Sequence, residues 1–455
     1  MDRETLFSAL ERILFLPELT LLDSVLATEL YLVGGTVRDA IAGVKPKGDF
    51  DLAANLAPDE ILARLNKAGI PVIPTGLKHQ TVMAVFPNSK LHVEITSLRE
   101  KKHDGTIGVG TSIVEDLKLR DFTINALAFS FKKKALLDPL GGAVDIENKI
   151  IRSCGEPLER IKEDPLRALR AIRLASTLGY QIEPLTADAV KQSVGLLNKV
   201  STERIRDEIE KILVGPRPRV GLELLLELNL LELCLPEIMP SVNCAQNRFH
   251  SADVFVHTLD VIDRTKDDLI LRLSALFHDI GKPHTISIDE VTGDRHFFKH
   301  ETVGAEITTS ALSRLKFSND INDATTALVR LHMRPTDCGV PGLRRLIRDT
   351  GELYLTWREL KEADTLATNV NQEEFIEHLK EFDERIAEIK KGPELSPLSA
   401  LALKGKDLMA MGIPESPIIG VILRYLHEKV LDNPEVNTKE SLSKIITSDF
   451  ANELR

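Results

Sequence analysis

The chain has 455 residues, a length typical of roughly two to four domains, and its 43% hydrophobic and 28% charged residues exclude disordered and fibrous classes. Aromatic residues make up only 5%, which argues against a broad aromatic platform for stacking single-stranded bases. The net charge of −11 argues against general nucleic-acid binding. Residues 151–220 nevertheless contain 13 basic and 10 acidic residues, so a basic excess is present locally.

Location and redox state follow from simple patterns. The chain contains no stretch of about 18 uncharged apolar residues, and its N-terminus lacks a basic segment leading into an apolar one, so we expect a cytoplasmic protein with no membrane partner. The four cysteines are scattered and form no C-x-x-C pair, which argues against a thiolate zinc site and against disulfides. We expect them to be buried packing residues. The sequence indicates no oligomeric state.

The predicted elements divide the chain into four parts. After an apolar helix pattern, short strand patterns between Gly and Pro residues predict an α+β head over residues 1–150. Amphipathic helical periodicity dominates from Glu156 onward and predicts a helical neck over residues 151–235. A histidine-rich helical block follows over residues 236–375, and a helical tail over residues 376–455. We therefore expect an α+β head followed by an all-helical remainder.

The first candidate site is a Gly-Gly turn in the head. Gly34 and Gly35 follow an apolar strand pattern and precede a helical pattern that contains Arg38. Two glycines let the backbone approach a ligand closely, and the free N–H groups of a new helix suit an anion such as a triphosphate. Taken alone, such a motif is more often just a turn between a strand and a helix.

Three acidic residues follow this turn. Asp49 and Asp51 share one face of a predicted strand, because side chains two residues apart point to the same side. Two adjacent carboxylates suit Mg²⁺, although solvated loop acids give the same pattern. Downstream, TVMAVFPNSKLHVEIT predicts a hairpin whose apolar residues face the core and leave Glu94 on the opposite face. The turn and the three acids together predict a two-metal nucleotidyl-transfer site with Asp49, Asp51 and Glu94 as its catalytic acids.

Five motifs, in order over residues 30–213, carry a family resemblance: GGTVRD, GDFDLA, TGLKHQTVMAV with EIT, LRDFTINALAF, and ERIKEDPLRALRAIRLA. They resemble the class II tRNA nucleotidyltransferases (CCA-adding enzymes) and bacterial poly(A) polymerases. The resemblance implies a DNA-polymerase-β-like head with a small mixed sheet and a helical neck that selects the nucleotide. It also implies Mg²⁺ bound by Asp49 and Asp51, and template-independent addition of C or A from CTP and ATP to the 3′ end of tRNA.

The same resemblance assigns the nucleotide-binding residues. It places Asp121 near the ribose and Asn125 near the phosphate or the metal. Leu119 stands before Arg120 where the family usually has a second arginine, which puts one phosphate or ribose contact in doubt. The full predicted set is Gly34, Gly35, Arg38, Arg120, Asp121, Asn125, Asp164, Arg167, Arg170 and Arg173.

The segment EDPLR resembles the family's EDxxR motif, in which Asp and Arg read the Watson–Crick edge of CTP or ATP. Asp164 and Arg167 are three apart, so on one helix they share a face and can offer an acceptor and donors to a base. An ordinary surface ion pair is the alternative interpretation. Arg170 and Arg173 extend the basic face toward triphosphate or RNA.

The sequence leaves the exact activity open. Gly76-Leu77-Lys78-His79 resembles the tRNA-tail type more than poly(A) polymerases, which favours tRNA as the substrate. The 21 residues between Arg99 and Asp121 form a loop shorter than expected for complete CCA synthesis. Addition of CC only or of A only therefore stays open, and a poly(A) polymerase is the first alternative function.

The histidine-rich block contains a second candidate site. Separate helical patterns carry histidines and aspartates that suit a transition metal (Mn, Ni, Co or Fe) better than Mg²⁺, although single histidines on apolar faces are usually core residues. FHDIGK resembles the HD phosphohydrolase domain, and Lys282 is a candidate for holding a phosphate. The ligands that this resemblance implies are His257, His278, Asp279 and Asp364, with His300 and His332 framing a possible second metal. A structural HD domain, or an HD phosphohydrolase with a non-catalytic RNA-binding head, remains an alternative.

Overall fold

The computed structural model describes residues 10–44, 49–76, 80–102, 106–246, 252–391 and 400–453. The chain divides into two compact units, Met1–Cys234 and Leu235–Arg455. The finer division into head, neck, histidine-rich block and tail stays a prediction.

A mixed sheet forms the basis of the first unit. The strands of this unit are β1 (Leu30–Val33), β2 (Asp49–Ala54), β3 (Val72–Gly76), β4 (Thr81–Phe86), β5 (Leu91–Ser97), β6 (Arg99–Lys101), β7 (Ile107–Val109), β8 (Ala128–Ser130), β9 (Leu136–Leu137), β10 (Ile150–Ile151) and β11 (Gln181–Ile182). Seven of them form one sheet in the order β3-β4-β5-β2-β1-β8-β9. β2 and β5 run parallel, and the other neighbours run antiparallel. The predicted α+β head is confirmed.

The first unit also contains helices. They are α1 (Pro17–Leu26), α2 (Gly35–Ile41), α3 (Pro58–Lys67), α4 (Ile113–Lys118), α5 (Gly142–Glu147), α6 (Pro157–Glu163), α7 (Leu166–Leu178), α8 (Pro184–Gln192), α9 (Thr202–Leu213), α10 (Pro218–Glu227) and α11 (Leu231–Cys234). Five of them begin at a proline, whose missing N–H has no intrahelical acceptor in the first turn. Residues 10–14 are also helical.

One hydrophobic cluster attaches α4 to the sheet. Leu117 of α4 packs with Tyr31 of β1 and Ala128 of β8, and all three are buried. Cys154 lies in the same cluster, as expected of a packing residue. The expectation that all four cysteines are buried is wrong for two of them, since Cys244 and Cys338 are only partly buried. Burial of a leucine-sized side chain stabilises a fold by about 1.5–3 kcal/mol, so these contacts fix the segment that leads from α4 to Arg120.

One sequence-based expectation for the head is wrong, and another concerns residues outside the described ranges. The segment between Arg99 and Asp121 is not a loop: it contains the hairpin β6–β7 and the helix α4, which Ser112 caps by accepting a hydrogen bond from the Glu115 N–H. Its strands are only three residues long, too short to show a clear alternation. The residues Leu77, Lys78 and His79, which favoured tRNA as a substrate, lie outside the described residues.

The second unit is mainly helical. Its helices are α12 (Val254–Asp263), α13 (Leu269–Phe277), α14 (His300–Arg314), α15 (Asn319–Leu331), α16 (Val340–Thr350), α17 (Tyr354–Leu366), α18 (Gln372–Lys391), α19 (Gly405–Ala410), α20 (Pro417–Asp432) and α21 (Lys439–Asp449). The single tryptophan, Trp357, is fully buried and donates its Nε1–H to the Leu331 carbonyl at 2.9 Å. No helix among the described residues is long and apolar enough to cross a bilayer.

The expectation of an all-helical remainder is wrong in two places. β10 pairs in parallel with β11, joining residues 150–151 to residues 181–182. In the second unit, β12 (Ile286–Ile288) and β13 (Arg295–Phe297) form an antiparallel hairpin. Strands of two or three residues are too short for periodicity to reveal, and tertiary contacts stabilise them instead.

Candidate active site and histidine-aspartate cluster

The three predicted carboxylates meet on the parallel pair β2–β5. The register places Asp51 directly opposite Glu94, and Asp49 lies two residues earlier on the same strand. Alternate residues of β5 are buried, while Glu94 is exposed on the other face, as the hairpin pattern predicted. Burial raises the pKa of Asp51, against the opposing effect of Arg120, and Asp49 raises this pKa further. Burial and the nearby Asp51 raise the pKa of Glu94.

The Gly-Gly turn lies beside these acids. Gly34 has φ +69°, and a Cβ on it would lie 3.2 Å from both Asp51 Oδ2 and Arg120 Nη1. Only glycine fits here without strain, because L-residues rarely adopt this φ and the added atom would press on both charged groups. The helix α2 begins at Gly35, so the predicted strand-turn-helix arrangement is confirmed.

The nucleotide-binding candidates of the head form a connected polar network. Arg38 donates to Asn125 Oδ1 at 2.8 Å, and Asn125 donates to Asp121 Oδ1 at 3.2 Å. Asp121 is buried, and its Oδ2 lies 2.7 Å from Arg170 Nη2. Burial alone would raise the pKa of Asp121, but the Arg170 guanidinium holds this pKa below its usual value. This network of charged and polar side chains therefore extends to Arg170 on α7.

Replacing Asp121 with asparagine is expected to lower the free energy of unfolding of the first unit by about 1–2 kcal/mol at pH 7. This range lies below the roughly 3–5 kcal/mol for a fully buried pair that loses one partner, because the Arg170 side chain is 39% exposed and solvent screens its charge. The pKa of Asp121 is lowered by folding, so the wild-type advantage is complete above the ordinary aspartate value of about 4. It is lost as the pH falls through the lowered pKa.

Urea unfolding at pH 7 and at steps below pH 4 measures this difference. The matched control is Asp188→Asn, which removes an exposed carboxylate on α8 and should leave the stability unchanged. An Asp121→Asn variant that equals the wild type at pH 7 contradicts the assignment of the ion pair to stability.

Sequence reasoning missed a second buried carboxylate at this site. Asp116 is buried and accepts from Arg99 Nε at 2.7 Å and from Arg120 at 3.3 Å. It therefore orients both arginines toward the cleft. Arg99 supplies a second guanidinium near Arg120, where Leu119 stands in place of the arginine expected from the family resemblance. An acidic residue on a short helix carries no sequence signal that separates it from a solvated one.

The expected geometry of Asp164 and Arg167 is wrong. Asp164 does not share a helix with Arg167: it is the C-cap of α6 with extended backbone angles (φ −142°, ψ 99°), and α7 begins only after Pro165. A proline disfavours the α conformation of the residue before it, which separates the two helices. Asp164 pairs with Arg204 at 3.1 Å, a partner that the sequence did not indicate. Arg167 donates to the Arg160 carbonyl at 2.9 Å.

All ten predicted nucleotide-binding residues nevertheless line one cleft of about 620 Å³. Arg170 points to Asp121, and Arg173 donates to the buried Glu208 at 2.6 Å. Asp51 reaches the same cleft. The structure thus brings together a carboxylate group and a basic cleft large enough for a nucleotide, within the range of roughly 300–1,000 Å³ for small-ligand sites.

A second site lies in the other unit, where five elements converge. His257 is on α12, His278 follows α13, His300 opens α14, His332 follows α15 and Asp364 is on α17. His257 and His278 meet at 3.3 Å between their Nε2 atoms. His300 and His332 meet at 3.1 Å between theirs. The predicted ligand residues are therefore brought together in space.

Asp279 lies between the two histidine pairs. Its Oδ2 is 3.2 Å from His278 Nε2 and its Oδ1 is 3.4 Å from His300 Nε2. Two groups therefore have potential metal ligands within 4.8 Å of one another: His257, His278 and Asp279, and Asp279, His300 and His332. Asp364 Oδ1 lies 3.1 Å from His257 Nε2 and completes the first group. Lys282 Nζ approaches Asp279 Oδ2 at 2.6 Å.

The histidine rings are held in an orientation that suits metal binding. The Nδ1 atoms of His278, His300 and His332 each lie 2.6–2.8 Å from a backbone carbonyl. A hydrogen bond donated by Nδ1 leaves Nε2 with its lone pair toward the cluster. Burial and the nearby His278 lower the pKa of His332 to about 3.

Three family models match the chain. The "Poly A polymerase head domain" matches residues 30–152, the "Probable RNA and SrmB- binding site of polymerase A" matches residues 179–241, and the "HD domain" matches residues 249–369. They follow one another in the order in which the two sites occur.

Curated proteins and solved structures also match the chain, over most of its length. The chain is 33% identical over 413 residues to the A-adding tRNA nucleotidyltransferase of Deinococcus radiodurans, and the match covers 87% of this chain and 90% of the relative. It is 30% identical over 427 residues to the CC-adding tRNA nucleotidyltransferase of Thermus thermophilus, covering 90% and 92%. The crystal structure of the Bacillus stearothermophilus CCA-adding enzyme in complex with CTP aligns with a TM-score of 0.70 and 26% identity over 100% of this chain and 99% of the other.

The similarity to the Deinococcus protein extends over most of both chains. This chain therefore belongs to the tRNA nucleotidyltransferase family, with a poly(A) polymerase head domain and an HD domain.

Proposed function

We propose that this chain adds C, A or both to the 3′ end of tRNA, without a template, from CTP and ATP. One observation carries the proposal: the parallel register places Asp51 opposite Glu94, with Asp49 on the same strand, at a basic cleft of nucleotide size. The 3′ oxygen of the RNA would bond to the α-phosphorus, and the bond to the leaving pyrophosphate would break. The family membership supports nucleotidyl transfer as the reaction class.

Mg²⁺ fits the cluster of three carboxylates formed by Asp49, Asp51 and Glu94. Apart from burial, the nearby Asp49 raises the pKa of Asp51, and Asp51 raises the pKa of Glu94; a divalent cation removes the repulsion that causes these two effects. Asp49 and Asp51 would hold two Mg²⁺ ions. When bound, Mg²⁺ makes the attacking hydroxyl more acidic and stabilises the leaving pyrophosphate.

The basic cleft supplies nucleotide binding in this proposal. Arg120 and Arg38 would hold the triphosphate, since guanidinium groups bind phosphate in a bidentate manner. Asp164 and Arg167 would read the base edge. Because Asp164 pairs with Arg204 in the structure, base reading requires this exposed ion pair to open, at a cost of about 1 kcal/mol or less.

The number of nucleotides added is tested with three tRNA transcripts, which end before the tail, after one C and after both Cs. Each is incubated with Mg²⁺ and CTP, ATP or both, and gel mobility counts the additions. Relatives named A-adding, CC-adding and CCA-adding all match this chain, so names do not decide between these activities. Three additions to the first transcript assign complete CCA synthesis; two, or A added only to the CC end, assign a partial activity.

Two rival functions give different results in the same experiment. A poly(A) polymerase extends any RNA by many A residues and shows no preference for tRNA. A non-catalytic RNA-binding head adds nothing to any transcript, and the catalytic activity then lies in the second unit alone.

For the second unit we propose a metal-dependent phosphohydrolase that acts on phosphate esters. His257, His278, Asp279 and Asp364 would hold one transition metal (Mn, Ni, Co or Fe), and Asp279, His300 and His332 a second one. When bound, such metals polarise the phosphoryl group and supply a nucleophile from water. Lys282 lies beside Asp279, where its ammonium group can hold a phosphate.

A further inference from the structure

Arg99 is a cationic residue of the basic cleft that the sequence did not indicate. It opens the short strand β6, where the antiparallel register places it opposite Val109 of β7. Its side chain is 29% exposed, compared with 54% for Lys101 on the same strand. Because withdrawing a charged group from water costs free energy unless anions compensate it, the partners of Arg99 indicate what the residue does.

Asp116 holds Arg99 by its main chain and by its side chain. Asp116 Oδ1 accepts the backbone N–H of Arg99 at 3.2 Å and the Nε–H at 2.7 Å. The Asp116 side chain is only 1% exposed, so its position is fixed by packing. Among the described residues, the Nη1 and Nη2 groups of Arg99 have no hydrogen-bond partner. This edge of the guanidinium is therefore available to a ligand in the cleft.

The second oxygen of Asp116 holds Arg120. Asp116 Oδ2 accepts from Nε and from Nη2 of Arg120, each at 3.3 Å. Arg120 in turn lies next to Asp51, because a Cβ on Gly34 would lie 3.2 Å from both Arg120 Nη1 and Asp51 Oδ2. The groups thus follow one another in the order Asp51, Arg120, Asp116 and Arg99. One carboxylate is shared by two guanidinium groups, which leaves a net positive charge on this wall of the cleft.

The available edge of Arg99 suits a phosphate group. A guanidinium presents parallel N–H donors that match two phosphate oxygens. Anchoring of the hairpin β6–β7 requires only the backbone N–H and the Nε–H, so it does not account for the other donors. Lys101 Nζ lies 3.1 Å from Glu163 Oε1 and is already paired.

We propose that Arg99 binds the terminal phosphates, β and γ, of the incoming nucleotide, and that Asp116 is the residue that positions it. The proposal rests on the nucleotidyl transfer proposed for this cleft. The α-phosphate has to reach the carboxylates of the active site, where Arg120 lies next to Asp51, and Arg99 is one carboxylate further along. Arg99 thereby supplies a phosphate contact that Leu119, an apolar residue of the same cleft, cannot make.

Calorimetric titration of the full chain with CTP or CMP, with Mg²⁺ and without RNA, tests the phosphate contact. CMP lacks the β- and γ-phosphates. Arg99→Gln should therefore weaken CTP binding by about tenfold, as expected for a lost hydrogen bond to a charged group, and CMP binding by less than about twofold. The control Lys118→Gln removes an exposed cation from α4 and should bind both nucleotides like the wild type. Equal weakening for CTP and CMP, or unchanged CTP binding, overturns the proposal.

A double variant separates phosphate binding from support of the hairpin. Adding Leu119→Arg to Arg99→Gln places a guanidinium in the cleft again, but it does not restore the bonds between Arg99 and Asp116. The affinity for CTP should return to within about threefold of the wild type. If it stays low while circular dichroism matches the wild type, Arg99 acts only by holding the hairpin, and the proposal is wrong.

Nucleotide addition to tRNA separates this proposal from the function on which it rests. A KM for CTP or ATP that rises about tenfold in Arg99→Gln, with kcat nearly unchanged, supports both. If CTP binding depends on Arg99 but the wild type adds no nucleotide, nucleotidyl transfer is wrong and the assignment of Arg99 stands. If the wild type adds nucleotides and Arg99→Gln changes no KM, or only the KM for tRNA, nucleotidyl transfer stands and the assignment of Arg99 is wrong.

Discussion

Asp51→Asn should reduce nucleotide addition by about 10³-fold or more, which corresponds to about 4 kcal/mol of transition-state stabilisation. The amide keeps the shape of the side chain but cannot supply the negative charge that a divalent cation needs. Single-turnover addition of one nucleotide to tRNA, measured with saturating CTP or ATP, reports the chemical step. Asp49→Asn should act in the same direction, because both carboxylates lie on the same face of β2.

The same substitution should not destabilise the metal-free protein. Folding raises the pKa of Asp51, so ionisation of this group opposes folding as the pH rises from the ordinary aspartate value to the raised one. The asparagine variant lacks this penalty and should unfold at an equal or higher urea concentration at pH 7. Mg²⁺ with CTP should stabilise the wild type and leave the variant unchanged.

Asp59→Asn is the matched control, since it removes an exposed carboxylate from α3 of the same unit. It should retain full addition activity. If Asp51→Asn kept more than about a tenth of wild-type activity, the metal-binding charge would lie elsewhere. That result would contradict the assignment of β2 and β5 as the catalytic strands.

The carboxylate group was predictable because it depends on local rules. Strand alternation places Asp49 and Asp51 on one face, and the hairpin pattern places Glu94 away from the core. The alternation does not reveal that β2 and β5 are parallel neighbours. That pairing joins two strands that α3, β3 and β4 separate in the sequence, and it brings Asp51 opposite Glu94.

The partners of the arginines were not predictable. Asp116 is 17 residues from Arg99, and Glu208 is 35 residues from Arg173. Each acid lies in an ordinary amphipathic helix, where charged residues are usually solvated. The break between Asp164 and Arg167, in contrast, was predictable. Pro165 follows Asp164, and a residue before a proline favours an extended backbone.

The histidine cluster shows a third case. Its members lie on or next to five different helices, and helical periodicity gives each ring a face but no partner. The motif FHDIGK indicated the type of site, whereas the position of Asp279 between two histidine pairs follows only from the packing of α12, α13, α14 and α15.

Asp279→Asn should remove both metals of the second unit, and His332→Ala should remove only one. Asp279 belongs to both ligand groups, since Oδ2 lies near His278 and Oδ1 near His300, whereas His332 belongs to one group. The amide cannot offer a negative charge to either ion. Elemental analysis of protein loaded with Mn²⁺ should therefore give about two, one and zero ions per chain for the wild type, His332→Ala and Asp279→Asn. Phosphate-ester hydrolysis should fall by about 10³-fold or more in the aspartate variant.

The metal count distinguishes a shared ligand from two independent sites. Asp323→Asn, which removes an exposed carboxylate from α15, is the control and should keep the wild-type count. Asp279→Asn with one bound ion would mean that one of the two ligand groups holds a metal without this carboxylate. Nucleotide addition should be unaffected in Asp279→Asn, because the carboxylates proposed for that reaction belong to the other unit. Loss of both activities together would instead indicate global unfolding, which circular dichroism of the same preparation detects.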